Sequence, residues 1–220
     1  KKAYSITSKS KHVRGIIMRR YDCLKNIVSL LKDKIVVTNI GGVAVEWYNL
    51  CDQESNFYLW HSLGMATSIG FGIACSLPHR DVIVFEGDGS LLMNLGGLCT
   101  IGNELPANLK IITFDNESYE SPGGYKTATR GKANLANIAK EAGIKKSLEV
   151  KTLKDFEEIV QQALDEDSTY FINAKVEPGT ANVEDPTMDG KENKYRFIRY
   201  IERTENISIF KSPGHVTKSR

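Results

Sequence analysis

Asp81-Val-Ile-Val-Phe-Glu-Gly-Asp-Gly-Ser90 is the stretch that decides the fold of this chain. The run from Asp81 to Glu86 has the length and β-branched content of a buried strand, and it stops at glycines, where a ligand can come close. A second apolar run, Leu109 to Phe114, ends in Asp115-Asn116. Between them, Leu91 to Asn103 reads as a helix that starts just after Ser90. Strand, turn, helix and strand make one right-handed parallel unit. Asp88 and Asn116 then stand at the C-terminal ends of two strands, the place where open α/β sheets bind ligands.

The pattern continues on both sides. Upstream, Met18 to Leu31 reads as an amphipathic helix, Ile35 to Thr38 as a strand and Ala44 to Cys51 as a helix. Downstream come a helix from Leu135 to Ala142, a short strand near Leu148, a helix from Leu153 to Leu164 and a strand from Tyr170 to Val176, with Lys191 to Arg203 as a closing helix. This alternation predicts an α/β fold: a doubly wound, mainly parallel sheet with helices on both faces. Residues 18–203 form the expected domain, preceded by a basic arm over 1–17 and followed by an extension over 204–220. The first twenty residues carry seven lysines and arginines and no acid, five of them in the arm, a composition that fits a mobile segment, a transit segment or a vector-derived remnant.

The residue types at the glycine turn explain themselves chemically. A diphosphate at a helix N-terminus meets free N–H groups and the positive end of the helix dipole, provided glycine allows the approach. Magnesium prefers oxygen donors and takes one or two side chains while phosphate oxygens complete its shell. Asp88 and Asn116 would supply those side chains, and Gly87 and Gly89 would permit the approach. Asp-Gly alone is a common tight turn; the flanking strand, helix and second strand favour the cofactor reading. Gly41-Gly42, again between a strand and a helix, is a second candidate wall of such a pocket. Gly70-Phe-Gly72 lacks the strand-to-turn setting and third glycine of a dinucleotide fingerprint.

Composition narrows the class further. With 220 residues the chain can bury one good core, and a net charge of +2 gives no general pull toward nucleic acid or membrane. No apolar run is long enough to span a bilayer as a helix. Cys23, Cys51, Cys75 and Cys99 lack the paired spacing of a zinc or redox site. They are expected to pack as reduced, small apolar residues, which fits the cytoplasm.

Gly87-Asp88-Gly89, a spacer and the closing Asn116 resemble the diphosphate-binding domain of thiamine-diphosphate-dependent enzymes. The resemblance implies thiamine diphosphate and Mg2+, the metal held by the side chains of Asp88 and Asn116 and the main-chain carbonyl of Ser118. It sets Gly89 and Ser90 against the diphosphate and adds Gly41, Gly42, Ser62, Gly87 and Tyr119 to the cofactor-binding set. The segment Phe57 to Gly72 is similar to the family stretch in which an apolar residue before a glycine props the cofactor into its bent shape, and Leu63 holds that position. The carbonyl of His61 would then accept from the aminopyrimidine, and its side chain is a candidate for proton transfer or substrate contact, against a purely structural role. The family more often has glycine there.

Within the family, the likeness from about Met18 to Arg203 points to the β-subunit type or C-terminal half of sulfopyruvate and phosphonopyruvate decarboxylases. It rests on the opening Arg20-Tyr21 helix, Asn56-Phe-Tyr58, Gly87-Asp-Gly-Ser-Leu-Leu-Met-Asn94 and Lys175-Val-Glu-Pro-Gly179. It implies decarboxylation of a 2-oxo acid to an aldehyde, with the thiazolium as electron sink. Those enzymes tend to carry Ser-Arg-Glu after the first glycine turn, whereas this chain has Val43-Ala-Val-Glu46 and no arginine. Lys126 and Arg130, in a polar stretch too glycine-rich for regular structure, are candidates for an acidic substrate, or plain solvated charge. The activating glutamate of the family belongs to a pyrimidine-binding domain that this chain has no room for. The active site is therefore expected to be completed by an alpha subunit, in an α2β2 or larger heteromer. Carboligation is the alternative chemistry, and a non-catalytic cofactor-binding scaffold the alternative of another class.

Overall fold

The computed structural model describes residues 18–210; the arm over 1–17 and the end of the extension, 211–220, lie outside them. Six parallel strands form the central sheet: β1 (Ile35–Thr38), β2 (Asn56–Tyr58), β3 (Val82–Gly87), β4 (Leu109–Asp115), β7 (Lys146–Val150) and β8 (Tyr170–Lys175). Their order across the sheet is β2-β1-β3-β4-β8-β7. From β1 the chain steps outward to β2, then returns to the other side of β1 to lay down β3. The crossovers therefore diverge between β1 and β3, and a crevice opens beyond the C-terminal ends of those two strands.

Alternation along the strands sorts the core into two layers. Ile83 and Phe85 of β3, Ile112 and Phe114 of β4 and Ile172 of β8 face α1 (Arg20–Ile27), α2 (Gly42–Cys51) and α7 (Leu153–Asp165). Val82, Val84, Leu109, Ile111 and Phe171 point the other way, toward α3 (Ala66–Ser76), α5 (Gly96–Glu104), α6 (Leu135–Glu141) and α8 (Gly190–Glu205). Strands buried on both faces read as continuous apolar runs, which is why β3 and β4 were visible in the sequence. Trp47 of α2 is fully buried and meets Phe85 edge-on at 5.0 Å, fixing α2 over the strand that precedes the glycine turn.

The doubly wound parallel sheet with helices on both faces is the fold expected. Four local expectations are corrected. The single helix from Leu91 to Asn103 is two: α4 (Asp88–Leu92), which begins at Asp88 rather than after Ser90, and α5, which begins at Gly96. The break has a cause, since Asn94 turns its amide to the Gly64 carbonyl and the Ser68 hydroxyl, both at 3.0 Å, and two poor helix formers, Gly96 and Gly97, follow. The polar loop after Asn116 contains a small antiparallel hairpin, β5 (Ser118–Tyr119) with β6 (Tyr125–Lys126), and a 3-10 turn over Ala128–Arg130. Gly123 at φ 118 and Gly124 at φ 76 make its turn, so the glycines that argued against order there are what the hairpin requires. The closing helix runs on to Glu205, and Phe210 folds back against Tyr195 at 5.4 Å. Cys23 is buried, but Cys75 and Cys99 are exposed rather than packed as small apolar residues, and all four are free. Among the described residues no helix is long and apolar enough to cross a membrane.

Helix α5 packs directly against the turn after α6. A Cβ on Gly102 would overlap the carbonyl group of Ala142, and Gly143 opposite it adopts φ 116. Both partners are backbone, so neither yields cheaply. Gly102→Ala is expected to lower stability by about 1–3 kcal/mol, measured by denaturant unfolding, whereas Gly72→Ala, with open space around the added methyl, should be neutral or stabilising.

Candidate functional site

The crevice at the divergence point is a cleft of about 110 Å³, open at its mouth. Its walls come from the turn after β1, the end of β3 with the first turn of α4, the end of β4 and the hairpin that follows it, with Arg20 of α1 and Leu63 before α3 added from the sides. Gly41, Gly42 and Leu63 line it, as do Gly87, Asp88, Gly89 and Ser90, and so do Asn116, Ser118 and Tyr119. Four candidates lie elsewhere. Lys126 and Arg130 are exposed and do not line the cleft, and neither does Ser62, which donates to the Trp60 carbonyl at 3.3 Å. His61 is exposed, outside the lining, at φ 58. This left-handed backbone suits glycine, which accounts for the residue more usual there.

Several residues of the cleft were not read from the sequence. Arg20 comes in from α1 and is buried at 6 % exposure; its Nε donates to Glu46 at 2.7 Å and its Nη2 to the Gly179 carbonyl and the Thr180 hydroxyl, both at 3.2 Å. Gly42 packs against that guanidinium so closely that a Cβ would overlap it. The turn after β1 has no arginine of its own, but Arg20 lines the cleft from α1, already engaged by Glu46. Asn39 holds Ser90: the serine hydroxyl donates to its Oδ1 at 3.1 Å and accepts from the Gly64 N–H at 2.8 Å. Glu86, fully buried beneath the turn, accepts from the Thr67 hydroxyl and the Gly87 N–H, each at 3.1 Å. Burial still raises its carboxyl to about 6.

Asp88 is the centre of the arrangement. It is 2 % exposed and sits in the first turn of α4, where the helix dipole favours a negative charge. Two hydroxyls reach its Oδ2, Thr127 at 2.6 Å and Thr129 at 3.1 Å. Among the described residues no hydrogen bond occupies its Oδ1 and no cation pairs with it. Burial raises the carboxyl to about 6; the Thr127 hydroxyl holds it down and the charge of Asp115 adds to the rise. A buried carboxylate with one free oxygen fits a cation.

The donor set fits a hard one. Asp88 and Asn116 offer oxygens with no thiolate or imidazole beside them, and the Asn116 Oδ1, though it accepts the Ser118 N–H at 2.9 Å, keeps a second lone pair. Among the described residues no cluster of three or more His, Cys, Asp and Glu side chains is arranged for a metal, so a cation here would lean on ligand oxygens. Packing inside the chain requires the second glycine of the turn. A Cβ on Gly89 would come within 2.5 Å of the Tyr119 ring.

Residues 40–174 match the family described as thiamine pyrophosphate enzyme, C-terminal TPP binding domain. The sulfopyruvate decarboxylase subunit beta of Methanocaldococcus jannaschii is 40 % identical over 190 residues, a match covering 84 % of this chain and 98 % of that subunit. Sulfopyruvate decarboxylase of Methanosarcina acetivorans is 36 % identical over 185 residues, covering 84 % of this chain and 48 % of that protein. Benzoylformate decarboxylase from Polynucleobacter necessarius superposes with a TM-score of 0.61 at 19 % identity, over 83 % of this chain and 36 % of that one, a likeness of fold. The chain belongs to the thiamine pyrophosphate enzyme family, through its C-terminal cofactor-binding domain.

The raised Asp88 carboxyl carries a signed expectation for the protein without ligands. A folded-state value above the ordinary one means the folded protein holds the proton more tightly, so stability falls as pH rises from about 4 to about 6 and is level above. Asp88→Asn removes that cost. It should gain about 1–3 kcal/mol over the parent at pH 8 and nothing at pH 3.5, in thermal melts across that range. An Asn variant equal to or less stable than the parent at pH 8 would contradict the assignment.

Proposed function

We propose that this chain is the diphosphate-binding subunit of a thiamine-diphosphate- and magnesium-dependent 2-oxo acid decarboxylase of the sulfopyruvate or phosphonopyruvate type, its active site completed by a separate pyrimidine-binding subunit. The observation that carries the reading is the buried Asp88 with its free oxygen at the glycine turn, in one cleft with Asn116 and Ser118. When bound, the cofactor supplies the carbon nucleophile and the electron sink for loss of carbon dioxide from the oxo acid.

The chain's own residues divide the remaining work. Asp88, Asn116 and the Ser118 carbonyl hold Mg2+. Gly87 and Gly89 let the diphosphate approach, and Ser90, fixed by Asn39 and the Gly64 N–H, lies beside it. Gly41 and Gly42 open the N-terminus of α2 to the same anion, and Tyr119 closes the opposite wall. Leu63 stays 45 % exposed although it lines the cleft, a residue available to pack beneath the thiazolium. His61, exposed two residues away, is the candidate for proton transfer, and the carbonyl of His61 for accepting from the aminopyrimidine.

Two observations support a second chain. The beta-subunit relative is matched over nearly its full length, while a relative named for the whole decarboxylase is matched over 48 % of its own. The other half of the site then resides elsewhere. Leu63, Met65 and Met93 gather around Gly64 near the cleft and are 45 %, 42 % and 58 % exposed. An apolar cluster of this kind marks a face that another protein covers. Four free cysteines fit a complex working in the reducing cytoplasm.

The test is reconstitution with the partner that co-purifies. The complex should release carbon dioxide and an aldehyde from a 2-oxo acid with an anionic tail, only with Mg2+ and thiamine diphosphate present. Asp88→Ala should lower that rate by ~100-fold or more, through loss of metal-dependent cofactor binding; full activity in that variant would make the chain a scaffold. A new carbon–carbon bond on addition of an acceptor aldehyde would make carboligation the reaction. For His61, an unchanged pH–rate profile in His61→Ala would return the side chain to a structural role.

A further inference from the structure

The stretch after the hairpin turns alternate side chains in and out. Lys126, Ala128 and Arg130 are exposed, while Thr127 and Thr129 are buried at 4 % and 6 %. The two charges looked like the functional part of this loop in the sequence. In space the two hydroxyls are the part turned into the protein.

Both hydroxyls converge on one oxygen of Asp88. Thr127 Oγ1 is 2.6 Å from Oδ2, Thr129 Oγ1 is 3.1 Å from it, and the two hydroxyls are 2.8 Å from each other. Thr129 also reaches Asp115 Oδ1 at 2.8 Å. Asp115 is itself fixed, by the Asn173 amide at 3.1 Å and the Lys175 ammonium at 3.0 Å on its other oxygen. A rigid chain thus runs from Lys175 at the end of β8, through Asp115 at the end of β4, to the carboxylate at the start of α4. Two protons serve these contacts: the Thr127 proton goes to Asp88 Oδ2, the Thr129 proton is shared between Asp88 Oδ2 and Asp115 Oδ1, and Asp88 Oδ1 has no such partner among the described residues.

We propose that Thr127 and Thr129 are positioning residues for the metal: they hold the Asp88 carboxylate in the rotation that presents Oδ1 to Mg2+ in the cleft. The inference rests on the proposed cofactor reading and assigns the hairpin loop a function within it. A carboxylate that must rotate, or shed a competing contact, before meeting a cation loses affinity, and groups that orient metal ligands typically contribute 10–100-fold. Two β-branched hydroxyls suit the task. Their χ1 freedom is small, and a hydroxyl donates to a carboxylate without neutralising the charge that the metal needs.

The experiment is calorimetric titration of Mg2+ into the full chain with thiamine diphosphate present, at pH 8, where the Asp88 carboxylate is ionised. Thr127→Val, close in shape and without the hydroxyl, should weaken Mg2+ binding by about 10–100-fold; Thr127→Ser, which keeps the hydroxyl, should stay within about threefold of the parent. Thr129→Val should fall on the side of Thr127→Val, and decides the matter on the same criterion if Thr127→Val does not fold. Valine variants that bind Mg2+ as the parent does, or a serine variant as weak as the valine one, would overturn the inference. If the parent itself binds no thiamine diphosphate in the presence of Mg2+, it is the cofactor reading that falls.

Discussion

A carboxylate buried where the sheet ends, with two hydroxyls on one oxygen and no cation on the other, is the constraint around which this molecule is arranged. Ionised and dry, Asp88 works against the fold. The surrounding structure limits that cost with donors that leave the charge in place. Thr127 and Thr129 approach from the loop, α4 turns its N-terminal end toward the group, and Asp115, a second buried acid nearby, is offset by Lys175. An arginine in place of the two threonines would neutralise the carboxylate and leave less for a metal to do. Stability has been left incomplete at the point where a ligand is expected to finish it.

The sheet carries that cost because it does not depend on the cleft. β3 and β4 are buried along their lengths and flanked by β1 and β8, so the central strands are fixed by residues remote from the rim. Parallel pairing places the ends of all these strands on one side, and the divergence of the crossovers between β1 and β3 opens the crevice there. Arg20 and Glu46 close its back wall as a buried, bidentate pair, tying α1 to α2 and to the loop after β8. Such a pair adds little net stability, since both charges lose their water, but it is costly to break and so defines one geometry. Gly42 is required by that geometry before any ligand enters the argument.

What the sequence disclosed and what it concealed follow one physical line. Strands β3 and β4, the glycine turn between them and Asn116 were legible because each depends on a local pattern: an apolar run, a residue that tolerates close approach, an oxygen donor at a strand end. So were α7 and α8, whose polar and apolar faces alternate at the helical period. The helix break at Met93 was not, because it depends on Asn94 bonding to Gly64 and Ser68, far away in sequence. β2 escaped notice as a three-residue strand whose pairing is wholly nonlocal. Arg20 was seen only as part of a likeness, and nothing local says that it reaches Glu46. In the loop from Glu117 to Arg130 charge is conspicuous in the sequence and threonine is not, and the burial of Thr127 and Thr129 beside Asp88 depends on the fold.

The same contrast bears on why half of a site can be a stable protein. The opposite end of the sheet is tied within the chain: Lys110, buried there, donates to three backbone carbonyls, and the Asn108 amide reaches three more. Groups around the cleft are left open. Asp88 keeps a free oxygen, Leu63, Met65 and Met93 keep apolar surface in water, and His61 keeps a backbone angle better suited to glycine. On the proposed reading a metal would answer the first of these deficits and an apolar partner surface the second, which leaves two open boundaries of one site, one toward a cofactor and one toward another chain.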